Sequence, residues 1–153
     1  MYPNDMPEPF RGNLLNQKMP DYEETPCAGG PPLTMRRISM ISTAGLHRCQ
    51  EPPFVPGRGE FRLIPDDTNI ADLITSHVAP NFDRTGMMRD INTVFPIDRL
   101  RELEKSGAIA SVAANHYGFM GATPPTEHVE LAKNLATDMK ADGVDGVLLV
   151  EGI

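Results

Sequence analysis

The sequence lacks most of the marks by which a function is read from residues alone. No run of ~18 apolar residues occurs, so no transmembrane helix is available. The amino terminus, Met1-Tyr2-Pro3-Asn4-Asp5, is acidic and proline-bearing, which does not fit a secretory signal. A cytoplasmic protein is therefore expected. Basic residues are in deficit, 14 against 21 acidic ones, and a net charge of -7 argues against broad contact with nucleic-acid phosphates. There are two cysteines, Cys27 and Cys49, with no CxxC and no Cys/His cluster at zinc spacing. A cytosolic chain keeps such thiols reduced, so neither is expected to carry a structural bond or a metal. No GxGxxG follows a strand and no P-loop is present, which leaves a nucleotide cofactor without support. A serine nucleophile elbow is also missing.

What is there is enough chain for one ordinary domain. The 153 residues are 40% hydrophobic and 23% charged, the balance of a soluble globular protein. Seven of the fifteen prolines fall within residues 1–36: Pro3, Pro7, Pro9, Pro20, Pro26, Pro31 and Pro32. Proline fixes φ and removes a donor, so this segment reads as an extended arm rather than a regular helix or central strand. Met1, Tyr2, Phe10, Leu14, Leu15, Met19 and Tyr22 make it more apolar than a linker needs, which suits packing on a neighbouring subunit in an oligomer. Residues 37–153 form the domain proper.

Arg36 to Gly45 reads as a buried strand that stops at a small-residue turn. In doubly wound sheets ligands bind beyond that carboxyl edge, where Ser42, Thr43 and His47 would sit. Capping of the next segment by Ser42 and Thr43 is the plainer alternative. Glu60 to Pro65 alternates as a short edge strand, and Ala71 to Ser76 reads as another strand, ending at His77. Pro96 followed by Ile97, Leu100 and Leu103 at helical spacing, with Gly107 as the stop, is the clearest helix. Ala108 to Ala113 follows as a small-residue strand. A helix from Pro124 to about Asp142 turns Val129, Leu131, Ala132, Leu135 and Met139 inward. Val144 to Val150 closes the chain as a buried strand. This alternation predicts an α/β fold with a small, mainly parallel sheet and flanking helices.

Polar groups concentrate between Ser76 and Gly121. His77 and His116 each follow a short strand, and a pair of loop histidines supplies general acid and base near neutral pH or helps bind a metal. Asp83, Arg84, Asp90, Asn92 and Asp98 orient such a histidine or pair with an amino or carboxylate group. A buried polar network that merely fixes loops uses the same residues. Tyr117-Gly118-Phe119-Met120-Gly121 reads as a flexible apolar loop passing close to a ligand, with core packing the alternative for Phe119 and Met120.

Four stretches together resemble one family. They are Ile41-Ser42-Thr43-Ala44-Gly45-Leu46-His47; Ser76-His77 to Asp83-Arg84; Asp90-Ile91-Asn92-Thr93-Val94-Phe95-Pro96-Ile97-Asp98-Arg99-Leu100; and His116-Tyr117-Gly118-Phe119-Met120-Gly121-Ala122-Thr123. In this order they resemble the selenoprotein B family, which includes the selenocysteine subunits of glycine, sarcosine, betaine and D-proline reductases. The similarity runs from about Ile38 to Val150. It implies reductive cleavage of a carbon–nitrogen (or carbon–sulfur) bond in a small amino-acid-like substrate. In that family a selenol or thiol just past the last strand attacks the substrate carbon, and a partner subunit contributes a pyruvoyl group. In that chemistry histidine and Asp/Arg groups would position the amine leaving group and the carboxylate. The residue reading above supplies His77 and His116 as the catalytic candidates and Ser42, Thr43, His47, Asp83, Arg84, Asn92 and Tyr117 as the substrate-binding ones.

One departure stands out. The redox selenocysteine or cysteine is expected at or just after Ile153, and neither Cys27 nor Cys49 matches that position. Either an in-frame UGA has been read as a stop, or the subunit has lost its nucleophile and works as a binding or assembly partner. Two functions therefore compete: a reductase-complex subunit, inactive alone, and a non-catalytic interaction subunit with Ser76 to Gly121 as its interface.

Overall fold

The computed structural model describes residues 3–16, 18, 21, 28–79 and 82–151. Expectations that fall on Met1, Tyr2, Met19, Tyr22, Cys27 and Ile153 lie outside the described residues. The proline-rich segment carries one short helix, α1 (Phe10–Leu15), so it is not extended throughout. That helix fits the window between Pro9 and Pro20, where every residue keeps its backbone donor. Phe10 and Leu15 are exposed on it.

The domain is organised around β1 (Arg37–Ser42), a strand hydrogen-bonded on both sides. After β1 the chain forms β2 (Leu46–Arg48), then the edge strand β3 (Phe61–Pro65), then β4 (Leu73–Thr75). The strands β2 and β4 pair antiparallel as a separate two-stranded sheet. A short helix α2 (Thr85–Arg89) precedes α3 (Ile97–Lys105), which leads into β5 (Ser111–Val112) and β6 (Asn115–Phe119). A turn at Pro125–His128 opens α4 (Val129–Ala141), and β7 (Gly146–Val150) follows. β5 and β6 line one side of β1 and β7 the other, all parallel, while β3 runs antiparallel outside β6. This is a mixed α/β fold with a mainly parallel sheet and flanking helices.

Alternation along β1 decides what each face holds. Ile38 and Met40 point to the side closed by α3 and the segment around Phe82 and Phe95. Ile41 points to the opposite side, where Tyr117, Phe119, Leu135 and Met139 pack under α4. The sheet is thus covered on both faces, as parallel strands require. In α3, Ile97 and Leu100 are the buried positions, each such side chain contributing roughly 1.5–3 kcal/mol by leaving water. Gly107 ends the helix at φ 74°, a conformation that costs other residues a Cβ clash.

Two expected elements change. Ala108 to Ala113 forms only the two-residue β5, with Ile109 buried against Leu100 instead. Tyr117 to Phe119, expected in a loop, belongs to β6 and is buried. The last strand also differs from expectation. Among the described residues β7 bonds only to β1, and Val147, Leu148 and Leu149 are exposed rather than buried. No helix among the described residues is long and apolar enough to cross a membrane.

Candidate functional site at the carboxyl edge of the sheet

His77 and His116, the two expected catalytic histidines, are each tied into the fold by contacts of their own. His77 follows β4 and stacks on Phe82 at 4.3 Å between ring centroids. Its Nδ1 accepts from the Ala79 N–H at 3.3 Å, which leaves the ring proton on Nε2. Arg84 donates to the carbonyls of both His77 and Phe82, tying the loop. Burial, and then the Arg84 charge, hold the His77 imidazole below its ordinary pKa. His116 lies in β6 and is fully buried. Its Nδ1 accepts from the Met40 N–H at 3.1 Å, and its ring meets Phe95 edge-on at 5.7 Å. The Asp66 carboxylate is 3.5 Å from Nε2, longer than a good hydrogen bond. Burial pushes the His116 pKa down, and Asp66 offsets this in part. Both rings serve the polar network that fixes strands and loops.

The supporting residues are also committed locally. Asp83 accepts from the Thr85 N–H at 2.8 Å at the start of α2. Asn92 donates to Asp90 and Asp98 and accepts from the Asp98 N–H at 3.1 Å, so it holds the first turn of α3. Ser42 donates to the Val94 carbonyl at 2.7 Å and accepts from the Ala44 N–H, the capping role. His47 does not reach the carboxyl edge. It lies in β2, buried, with Nδ1 2.9 Å from the Arg48 carbonyl and its ring edge-on to Phe54. Tyr117 is a core residue, meeting Phe61 edge-on at 5.5 Å, and burial raises its pKa. Among the described residues no group of three or more His, Cys, Asp or Glu is placed to hold a metal ion.

Of the expected catalytic and substrate-binding residues Thr43 lines a groove, and so do Phe119, Met120 and Gly121 of the stretch expected to pass close to a ligand. This groove of about 540 Å³ lies between α4 and the sheet, walled by Ile41, Phe119, Ala132, Leu135, Met139, Val147 and Leu149. Its polar end is formed by Thr43, Gly121, Thr123 and His128. The topology explains the location. From the end of β1 the chain leaves towards β2, whereas from the end of β6 it leaves over the opposite face into α4. Ligands bind where such connections diverge, beyond the carboxyl ends of the strands. Two backbone bonds close the space directly between these strands, Gly121 N–H to Thr43 O at 2.9 Å and Gly45 N–H to Phe119 O at 2.8 Å. The opening is therefore displaced to the α4 side.

Thr123 and His128 were not singled out in the sequence. Thr123 is 4% exposed and its Oγ1 has no hydrogen-bond partner, nor has Nδ1 of His128. Buried polar atoms are usually paired, so two orphans on one groove mark a place that accepts another polar group. The His128 ring meets Phe119 edge-on at 5.3 Å, and burial lowers its pKa, offset by Glu127 and the Met120 carbonyl. The sequence signal available was position alone: His128 is one of four histidines and precedes a helix that follows a strand.

A three-layer α/β unit with a mostly apolar groove at its carboxyl edge defines a small-molecule or segment-binding domain. Residues 65–152, more than half of the chain, match the family described as glycine/sarcosine/betaine reductase selenoprotein B, and the chain belongs to that family. It is 35% identical over 118 residues to D-proline reductase subunit gamma of Acetoanaerobium sticklandii, covering 75% of this chain and 48% of that protein. It is 28% identical over 122 residues to betaine reductase complex component B subunit beta of Peptoclostridium acidaminophilum, covering 76% of this chain and 28% of that one. The glycine reductase complex component B subunit gamma of Carboxydothermus hydrogenoformans is 33% identical over 69 residues. The chain thus spans about half the length of the first relative and under a third of the second. No solved structure matches it.

Proposed function

We propose that the chain is a substrate-holding component of a reductase complex that reductively cleaves a carbon–nitrogen bond in a small amino-acid-like molecule. The observation that carries this reading is the family match over residues 65–152. D-proline is the first substrate to try, because the D-proline reductase subunit is 35% identical. The groove suits the hydrocarbon part of such a ring, and Thr43, Thr123 and His128 suit its polar part. Two electrons from a dithiol replace the C–N bond by C–H, and the departing amine takes up a proton. Cys49, an exposed free thiol after β2, is not among the residues that line the groove. A pyruvoyl group on a partner subunit would supply a carbonyl to which an amine can bond. The unpaired Thr123 Oγ1 and His128 Nδ1 fit the approach of a small uncharged group of that kind.

The test measures D-proline binding by calorimetry and its reduction with dithiothreitol, by the chain alone and with a D-proline reductase partner subunit. Expected are binding that Thr123→Val weakens about tenfold, as one lost hydrogen bond predicts, and turnover only with the partner. Turnover by the chain alone refutes the need for the partner. Absence of both binding and partner-dependent turnover refutes the reading itself.

A further inference from the structure

His128 reaches the groove from the last position of the turn Pro125–His128, and two contacts from one stretch of chain bear on it there. The first is backbone against backbone. Gly59 passes so close to Glu127 that a Cβ on it would lie 2.0 Å from the Glu127 carbonyl oxygen and 2.8 Å from the carbonyl carbon. Only a residue without a Cβ allows that approach. The second is a row of rings. Phe61 pairs with Phe119 across β3 and β6 and meets its ring at 5.9 Å. Phe119 in turn meets His128 edge-on at 5.3 Å. Both contacts issue from Gly59 to Phe61, so whatever fixes that stretch also fixes the His128 ring.

Arg62 is the brace. Its guanidinium lies 4.5 Å over the Phe54 ring and donates to the carbonyls of Pro52 at 3.2 Å, Pro53 at 3.4 Å and Phe61 at 3.1 Å. Its ion pair with Glu60 at 3.2 Å is largely withdrawn from water, the two side chains being 13% and 17% exposed. Glu60 also accepts from the Val55 N–H at 2.7 Å, and the Phe54 N–H donates to Ser76 Oγ at 3.0 Å. A fork that spans several carbonyls, stacks on a ring and pairs with a carboxylate is arginine chemistry. Lysine, a point charge on a flexible stem, reproduces the ion pair alone. Pro52, Pro53 and Pro56 restrict the same loop further. Residues 52–60 therefore form a braced loop with its far end set against the turn that carries His128.

We propose that Gly59 and Arg62 are positioning residues, which set through the braced loop 52–60 where the His128 ring stands at the polar end of the groove. The consequence for binding rests on the groove holding substrate as proposed above; the placement itself does not. The test compares histidine-ring NMR and D-proline calorimetry for the natural chain, Gly59→Ala, Arg62→Met and Arg62→Lys. Asn92→Ala, which loosens the start of α3 on the other side of the sheet, is the control. Expected are shifted His128 ring resonances and a weakened Phe119–His128 cross-peak in Gly59→Ala and Arg62→Met, with His116 unmoved. D-proline affinity falls several-fold in both. Arg62→Lys, which keeps the charge beside Glu60, shows smaller changes of the same kind, and it carries the comparison where either other variant fails to fold. A folded Gly59→Ala or Arg62→Lys with His128 unmoved overturns the proposal. So does an equal shift in Asn92→Ala, or a shift shared by His116, either of which means general loosening. A natural chain that binds no D-proline counts against the groove's ligand instead, and the ring resonances still decide the placement.

Discussion

Acid should unfold this domain through His116, and the size of the effect follows from its setting. The ring is fully buried in β6, and Nδ1 accepts from the Met40 N–H. A proton on Nδ1 would confront that donor and place a charge in the core, so burial holds the pKa below its ordinary value. In the unfolded chain the same ring titrates near about 6.5. Below that pH the unfolded state binds a proton that the folded state refuses, and stability must fall as pH falls. The loss approaches about 1.4 kcal/mol per pH unit and levels off once the folded-state pKa is reached. Between pH 6.5 and 5.5 it can reach at most about 1 kcal/mol from this residue. His77 and His128 also have lowered pKa values and add to the total, so a comparison is needed. Urea unfolding of the natural chain and of His116→Gln, across pH 7.5 to 5.5, isolates the residue. Glutamine retains an acceptor for Met40 but no proton site. The natural chain should lose more than the variant over that lower unit, by up to about 1 kcal/mol. Parallel pH profiles, or an imidazole of His116 that titrates at or above 6.5 by NMR, would refute the argument.

Two further substitutions probe how the scaffold is held. Asn92→Ala removes both the acceptor for Asp98 N–H and the donor to Asp98 Oδ2 at the start of α3. It should cost about 1 kcal/mol in urea unfolding, with amide exchange accelerated in the first turn of α3 and not in α4. Gly118→Ala would place a Cβ 2.1 Å from the Leu46 carbonyl oxygen, which is backbone and cannot swing aside. Its cost should reach the upper end of about 1–3 kcal/mol, and a loss well under 1 kcal/mol would show that β2 and β6 slide apart freely.

That same glycine explains part of what the sequence concealed. β6 crosses under the β2 backbone, and only a residue without a Cβ fits there. Read along the chain, however, Tyr117-Gly118-Phe119 breaks alternation and resembles a loop. By contrast α3 was legible because its signals are local: Pro96 at the start, Ile97 and Leu100 at helical spacing, Gly107 at the stop. The order β1, α3, β5, α4, β7 was legible for the same reason. Which strand lies at the edge was not. Val144 to Val150 has the apolar run of a buried parallel strand, and pairing order in space is what exposes Leu149.

The candidate site moved for a related reason. Histidine marks reactivity in a sequence, but a ring held in place by the fold is not free to turn towards a ligand. His77 and His116 accept backbone hydrogen bonds through Nδ1, and His47 Nδ1 faces its neighbour's carbonyl, while Nε2 of His47 and of His116 has no hydrogen-bond partner among the described residues. His128 differs in lining the groove, together with Thr123, and among the described residues its Nδ1 and the Thr123 Oγ1 are without partners. Sequence spacing gave no warning of this, because Thr43, Thr123 and His128 come from two different connections and meet only through the divergence of the chain after β1 and β6. The groove, and not the stretch richest in polar residues, is therefore where open space and unpaired polar atoms coincide among the described residues.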